Sequence, residues 1–170
     1  MAARRELARR SLADFACLVD IPTVPLSDEA EEDRFSVMRL DSLAAHHALL
    51  CDKLQAIESG EIQNLMVLMP PGSAKSTYTD VVFVPWFMAR KPRRHVILAC
   101  YASEIAEKQG RRARQLISSR SFQNLTGRTL KADNRAVHQW SLDNGSEFMA
   151  GGLLSGLTGN RAALGLIDDP

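Results

Sequence analysis

Two groups of residues carry the types and spacing that chemistry needs. The first is Lys75-Ser76-Thr77, set behind the small-residue loop Pro70-Pro71-Gly72-Ser73-Ala74. A nucleotide polyphosphate needs several backbone N–H donors converging on it, one mobile ammonium, and a hydroxyl for its metal ion. A loop of small residues that opens a helix supplies those donors and a favourable dipole. In this reading Pro71, Gly72, Ser73, Ala74, Lys75, Ser76 and Thr77 cradle phosphate. Lys75 reaches the outer phosphates and Ser76 ligates Mg2+. The second group is Asp168-Asp169, which closes the apolar run Ala163-Leu164-Gly165-Leu166-Ile167. A run without alternation suits a buried parallel strand, and ligands bind at the carboxyl ends of such strands. Asp168 is then expected to hold Mg2+, mostly through water, and Asp169 to act as general base on an attacking water.

The loop departs from the pattern G-x-x-x-x-G-K-[ST]. Met69 and Ala74 stand where glycines belong, and Gly72 is the loop's one glycine. Ala74 is tolerable if the residue before Lys75 lies near the helix start at negative φ. The competing readings are structural: a helix N-terminus capped by Ser73, and an Asp-Asp-Pro turn that ends a strand. The two groups in this order, each behind an apolar strand-like run, favour a nucleotide-binding α/β fold.

Several elements must position these groups. Residues 65–69 read as the strand before the loop. A helix follows over 76–89, kinked by Pro85, with Trp86 and Phe87 in the core. Residues 95–101 read as a second buried strand. Ser103 is placed to cap a helix that runs to about residue 118, with Ile105, Leu116 and Ile117 turned inward. Arg111, Arg112 and Arg114 form a basic patch on that helix, either salt-bridged with Glu104 and Glu107 or facing DNA. The cluster Arg90, Lys91, Arg93, Arg94 has the same two readings, a solvated turn or a DNA contact. Upstream, an amphipathic helix spans 3–19 and a Pro-rich, acidic linker spans 21–35, including the run 28–33. A helix over 42–59 stops at Gly60, and its His46 and His47 read as packing or surface residues in preference to nucleotide contacts. Asn144-Gly145 between β-prone runs signals a hairpin. A glycine-rich loop with Gly151, Gly152, Gly156 and Gly159 precedes the last strand, and Arg161 at its far edge is a candidate for neutralising a transferring phosphoryl group, in cis or from a neighbouring subunit.

The segment 65–89 resembles the phosphate-loop region of the large terminase subunits of tailed bacteriophages, where Pro-Pro-Gly-Ser-Ala-Lys-Ser-Thr is a familiar loop variant. Trp140-Ser141-Leu142-Asp143-Asn144-Gly145-Ser146 with Gly151-Gly152 and Leu157-Thr158-Gly159-Asn160-Arg161-Ala162 is a second match, and Leu166-Ile167-Asp168-Asp169-Pro170 a third. The resemblance covers roughly residues 36–170. It implies a P-loop NTPase of the additional-strand type, with a mostly parallel sheet flanked by helices, incomplete at its C-terminus. Residues 1–35 would be an N-terminal helix and linker, and 36–170 a partial terminase-like ATPase domain. It further implies ATP and Mg2+ as cofactors, and a motor that packages viral double-stranded DNA into capsids. Lys75, Asp169 and Arg161 would be catalytic, and Ser76 and Asp168 metal-binding. Partners would be the terminase small subunit, the portal and further copies in a ring, in the cytoplasm of a bacterial host. The family continues past the paired aspartates with further strands and a nuclease, so the expectation is a truncated ATPase part with no nuclease domain. The expected alternatives are a non-catalytic remnant that only holds nucleotide or a partner, and a helicase-like ATPase.

Composition sets bounds on partners. The 170 residues carry a net charge of +1, so any DNA contact must be local. Cys17, Cys51 and Cys100 have no close spacing and fit buried thiols of a reducing compartment. His46, His47, His95 and His138 make no zinc spacing with them. No apolar run reaches the length of a membrane span.

Overall fold

A computed structural model of the chain describes residues 2–25, 35–136, 138–154, 157 and 159–170. The acidic run 28–33, and Gly156 and Thr158 of the glycine-rich loop, lie outside the described residues. The N-terminal pattern forms two helices, α1 (Ala2–Arg10) and α2 (Leu12–Leu18), where the periodicity alone reads as one. Ser11 divides them, because its hydroxyl accepts the Asp14 N–H at 3.1 Å and caps the second helix. Part of the expected linker is a two-stranded antiparallel ribbon, β1 (Ile21–Pro25) with β2 (Phe35–Met38). Each strand of such a ribbon keeps a free edge, so prolines are accommodated there. Helix α3 (Ala45–Ser59) ends at Gly60, whose φ of +84° is the left-handed stop expected of a glycine.

After the loop the helix begins at Lys75 and is π-helical over Thr77–Phe83, then continues as α4 (Val84–Arg90). The change of register absorbs Pro85, which has no N–H to give and sits in the first turn of α4. This segment is buried on nearly every side: Tyr78, Val81, Val82, Phe83, Val84, Trp86 and Met88 are all under 3 % exposed. Trp86 also donates its indole N–H to the Ala8 carbonyl at 2.8 Å, tying α1 to the core.

The main sheet has five strands in the order β4 (Leu130–Arg135), β5 (Gln139–Leu142), β6 (Glu147–Gly152), β3 (His95–Cys100), β7 (Leu164–Asp168). Strand β3, between β6 and β7, is parallel to both, whereas β4–β5 and β5–β6 are antiparallel. The fold is therefore α/β with a mixed sheet, half of whose pairings are antiparallel. The antiparallel half comes from the hairpin signal itself: Asn144-Gly145 turns β5 into β6, with Gly145 at φ +80°. Helices α5 (Ser103–Ser118) and α6 (Arg120–Thr126) join β3 to β4. Ser103 does not cap α5; Ala102 holds that position, and the Ser103 hydroxyl accepts the Gly152 N–H at 3.0 Å. Ile105 is 41 % exposed, against the inward reading, while Leu116 and Ile117 are fully buried.

One face of the sheet is covered. Val96, Leu98, Cys100, Phe148, Ala150, Leu164 and Leu166 point into a core shared with α1, α2, α3, α4, α5 and α6. The other face is more open, with Ile167 67 % exposed. Residues 65–69 form no ladder with any strand among the described residues, although the sequence reads as a strand. Their side chains alternate as a strand's would: Leu65, Val67 and Met69 pack against the core, and Met66 and Leu68 are more than 80 % exposed. The period of two is present and the hydrogen-bonding neighbour is not.

Candidate functional site

The β3–β7 register sets Cys100 opposite Asp168, so Asp168 lies at the carboxyl end of a parallel pair and on its covered face. Asp168 is 6 % exposed. The next residue, Asp169, turns out of the strand at φ +46°, and its side chain is 72 % exposed. Lys75, 93 residues away in sequence from Asp168, meets both. Its ammonium is 2.7 Å from Asp169 Oδ1 and 3.1 Å from Asp168 Oδ1. The hydrogen bond to Asp169 is the chief reason the Lys75 pKa stands above its ordinary value, with Asp168 adding to it against partial burial. The sequence-predicted ammonium and carboxylates thus converge at one strand tip.

The loop is built by local strain and one long-range contact. Ser73 N–H donates to the Pro70 carbonyl at 3.2 Å, closing a turn over Pro71 and Gly72, with Gly72 at φ +77°. Ala74 has φ +61°, so the expectation of negative φ before Lys75 is wrong. The backbone takes the left-handed conformation that a glycine would hold without a Cβ clash. Ser73 does not cap the helix; its hydroxyl is buried and has no hydrogen-bond partner among the described residues. His47 Nε2 lies 2.8 Å from the Ser73 carbonyl, and its ring stacks on Tyr78 at 4.3 Å. His47 therefore braces the loop from α3, a role its sequence position gives no hint of.

Beneath Lys75 and Asp168 lies Asp80, a residue the sequence reading passed over. It is 1 % exposed, accepts the Thr79 hydroxyl at 2.9 Å through Oδ1, and leaves Oδ2 without a donor among the described residues. Burial first, and the neighbouring Asp168 charge second, push its carboxyl well above the usual range. Burial likewise raises the adjacent Cys100 thiol to about 12, which makes it an inert core thiol. Cys51, in the same core, is raised to about 12 for the same reason.

Arg112 was grouped with a surface patch by its sequence spacing, yet it is 7 % exposed. It donates to the Pro22 carbonyl from Nε and Nη2 at 3.2 and 2.9 Å, to Gln109 Oε1 at 2.8 Å, and to Thr77 Oγ1 at 2.9 Å. Half of the other basic cluster is also tied to the fold by ion pairs. Arg94 and Arg90 both pair with buried Glu58, at 2.7 and 3.0 Å, and cover the faces of Phe87 and Trp86. Arg161 is not brought to this site within the chain. Ala163 N–H bonds the His95 carbonyl, which places Arg161 at the amino end of β3, beside His95 and Glu147. The five-residue strand β7 separates it from Asp168 by about 15 Å.

A groove of about 680 Å3 opens between α3 and residues 65–73, walled chiefly by Leu49, Leu50, Leu65, Met66 and Leu68 and ending against the loop at Ser73. The Ser76 hydroxyl and the Asp168 carboxylate are oxygen donors of the kind that would hold a phosphate-bound Mg2+, Asp168 through water. Among the described residues no group of three or more His, Cys, Asp or Glu is placed to hold a metal by protein ligands alone. No described helix is long and apolar enough to cross a membrane.

Compared with protein-family models and with curated proteins, the chain shows no match.

Proposed function

We propose that this chain binds a nucleoside triphosphate with Mg2+ at residues 71–77 and hydrolyses it, as the ATPase part of a terminase-type large subunit that packages viral DNA. The observation that carries the reading is the meeting of Lys75 with Asp168 and Asp169 at the carboxyl end of β7. A loop ammonium and two strand-tip carboxylates within hydrogen-bond distance form a site for a charged ligand and a cation. Without ligand, the carboxylates occupy the ammonium. A bound polyphosphate would take their place on Lys75, freeing Asp169 to accept a proton from water. Backbone N–H groups of the loop and first helical turn would hold the phosphates, and Ser76 and Asp168 would hold Mg2+, whose charge neutralises phosphate oxygens when bound. The apolar groove beside the loop has the size of a small-ligand site and would take the base and ribose. Arg161 would act only on a neighbouring copy's nucleotide, consistent with a ring assembly. Double-stranded DNA, a small subunit and a portal as partners, and a bacterial cytoplasmic setting, rest on the sequence resemblance.

A second reading, nucleotide holding without turnover, draws on residues 65–69, which anchor the loop to no strand of the sheet. Calorimetric titration of MgATP into the chain, beside Lys75→Ala, with phosphate release followed in the same samples, separates the cases. Lys75-dependent binding with release supports hydrolysis; Lys75-dependent binding alone supports holding. Equal affinity in both proteins would remove the phosphate-loop assignment.

A further inference from the structure

We propose that Arg112 is a positioning residue for the phosphate site, acting through the hydroxyl of Thr77. The inference rests on the nucleotide reading above and adds to it a residue from α5, outside the loop. A threonine hydroxyl has one proton to donate and two lone pairs. One lone pair of Thr77 Oγ1 is taken by Arg112 Nη2 at 2.9 Å. The guanidinium charge turns the hydroxyl proton away from itself, to the side opposite Arg112. Thr77 follows Ser76 in the first turn of the helix, where phosphate oxygens of a bound nucleotide would lie. The hydroxyl is thus set as a donor toward an anion.

Arg112 is itself rigidly held. Two of its N–H groups share the Pro22 carbonyl on β1 and a third reaches Gln109 on its own helix. Its burial and four hydrogen bonds hold the side chain in place. The consequence is a fixed acceptor-filling contact on Thr77 that does not depend on ligand. The same guanidinium ties the N-terminal ribbon to the phosphate loop.

The test is a double-mutant cycle read as MgATP affinity by calorimetry: Thr77→Val, Thr77→Ser, Arg112→Met, and Arg112→Met with Thr77→Val, beside Lys75→Ala. Thr77→Val is expected to weaken binding about tenfold, the loss of one hydrogen bond to a charged oxygen. Thr77→Ser keeps the hydroxyl and is expected to stay within about twofold. Arg112→Met is expected to weaken binding about as much as Thr77→Val, and the double variant no more than either alone. A merely structural Arg112 gives losses that multiply to about a hundredfold in the double variant, which overturns the proposal. If Arg112→Met melts below the assay temperature, Arg112→Lys replaces it in the same cycle, because one ammonium cannot reproduce the shared contact. Lys75-dependent binding with Thr77→Val unchanged would overturn this inference and leave the nucleotide reading standing. Binding that ignores Lys75 would overturn both.

Discussion

The paired aspartates differ in burial, and that difference predicts a split between binding and turnover. Consider Asp169→Asn beside Asp168→Asn. The Lys75–Asp169 contact is short, 2.7 Å, but the carboxylate is 72 % exposed. Exposed ion pairs contribute ~0–1 kcal/mol, so releasing Lys75 from Asp169 changes MgATP affinity by at most about fivefold. The direction is toward tighter binding, since the ammonium no longer has to leave a carboxylate. Turnover should fall by about 10^2 to 10^4, the usual share of a general base. Asp168 is 7 % exposed at its side chain and sits 3.1 Å from Lys75. If, as proposed, it holds Mg2+ through water, its loss should cost about 10- to 100-fold in metal-dependent affinity. Calorimetry with and without Mg2+, and phosphate release on the same preparations, measure both quantities. The reasoning fails if Asp169→Asn weakens binding as much as Asp168→Asn does, or if it hydrolyses ATP at the parent rate.

Three further outcomes follow from single residues. Ala74→Gly should stabilise the chain by ~1 kcal/mol, because φ +61° places a Cβ against the following carbonyl; an unchanged melting temperature would mean the loop relaxes around the alanine. Glu58→Ala should destabilise by ~3 kcal/mol, since it strands the buried Arg94 guanidinium, while a loss below ~1 kcal/mol in denaturant titration would count against a buried pair. Burial alone would raise the Asp20 carboxyl, but hydrogen bonds from Arg39 and Ser121 outweigh it and hold its pKa below the ordinary carboxylate value. A depressed folded pKa gives stability that is present above the unfolded value and lost as pH falls through the folded one, so Asp20→Asn should flatten the acid limb of stability below about pH 4 and leave the difference between pH 6 and 8 untouched.

The convergence of Lys75 with Asp168 and Asp169 was legible because both ends carry their own local codes: small residues before a Lys, and an apolar run ending in carboxylates. The hairpin at Asn144-Gly145 and the stop at Gly60 were legible for the same reason, since each depends on a backbone conformation few residues favour. Arg112 was not. Its neighbours Arg111 and Arg114 share its type, and helical spacing alone cannot tell which of three arginines faces a carbonyl on a distant ribbon. Asp80 was passed over because a carboxylate among Tyr78, Val81 and Val82 reads as the polar break in an apolar helix. Its meaning depends on a strand 88 residues later, Asp168 minus Asp80 in sequence position. Residues 65–69 show the opposite error. Composition supplied a strand, but a strand is a relation between two segments, and no described strand pairs with this one.

That unpaired segment bears on how the loop is held. In a parallel α/β sheet a phosphate loop is commonly fixed by the strand that feeds it. Here the feeding segment packs against the core through Leu65, Val67 and Met69. The loop's remaining restraints are side-chain contacts from three directions: His47 on the Ser73 carbonyl, Arg112 on Thr77, and the strand-tip aspartates on Lys75. Two of these grip atoms within two residues of the ammonium, and the third is the contact a ligand must displace. Under the proposed function, ligand binding would exchange the contacts of Lys75 with the two aspartates while His47 and Arg112 stay in place. The loop's geometry is set by residues that a motif search does not inspect, and so a sequence with only one glycine in the loop, at Gly72, retains the turn.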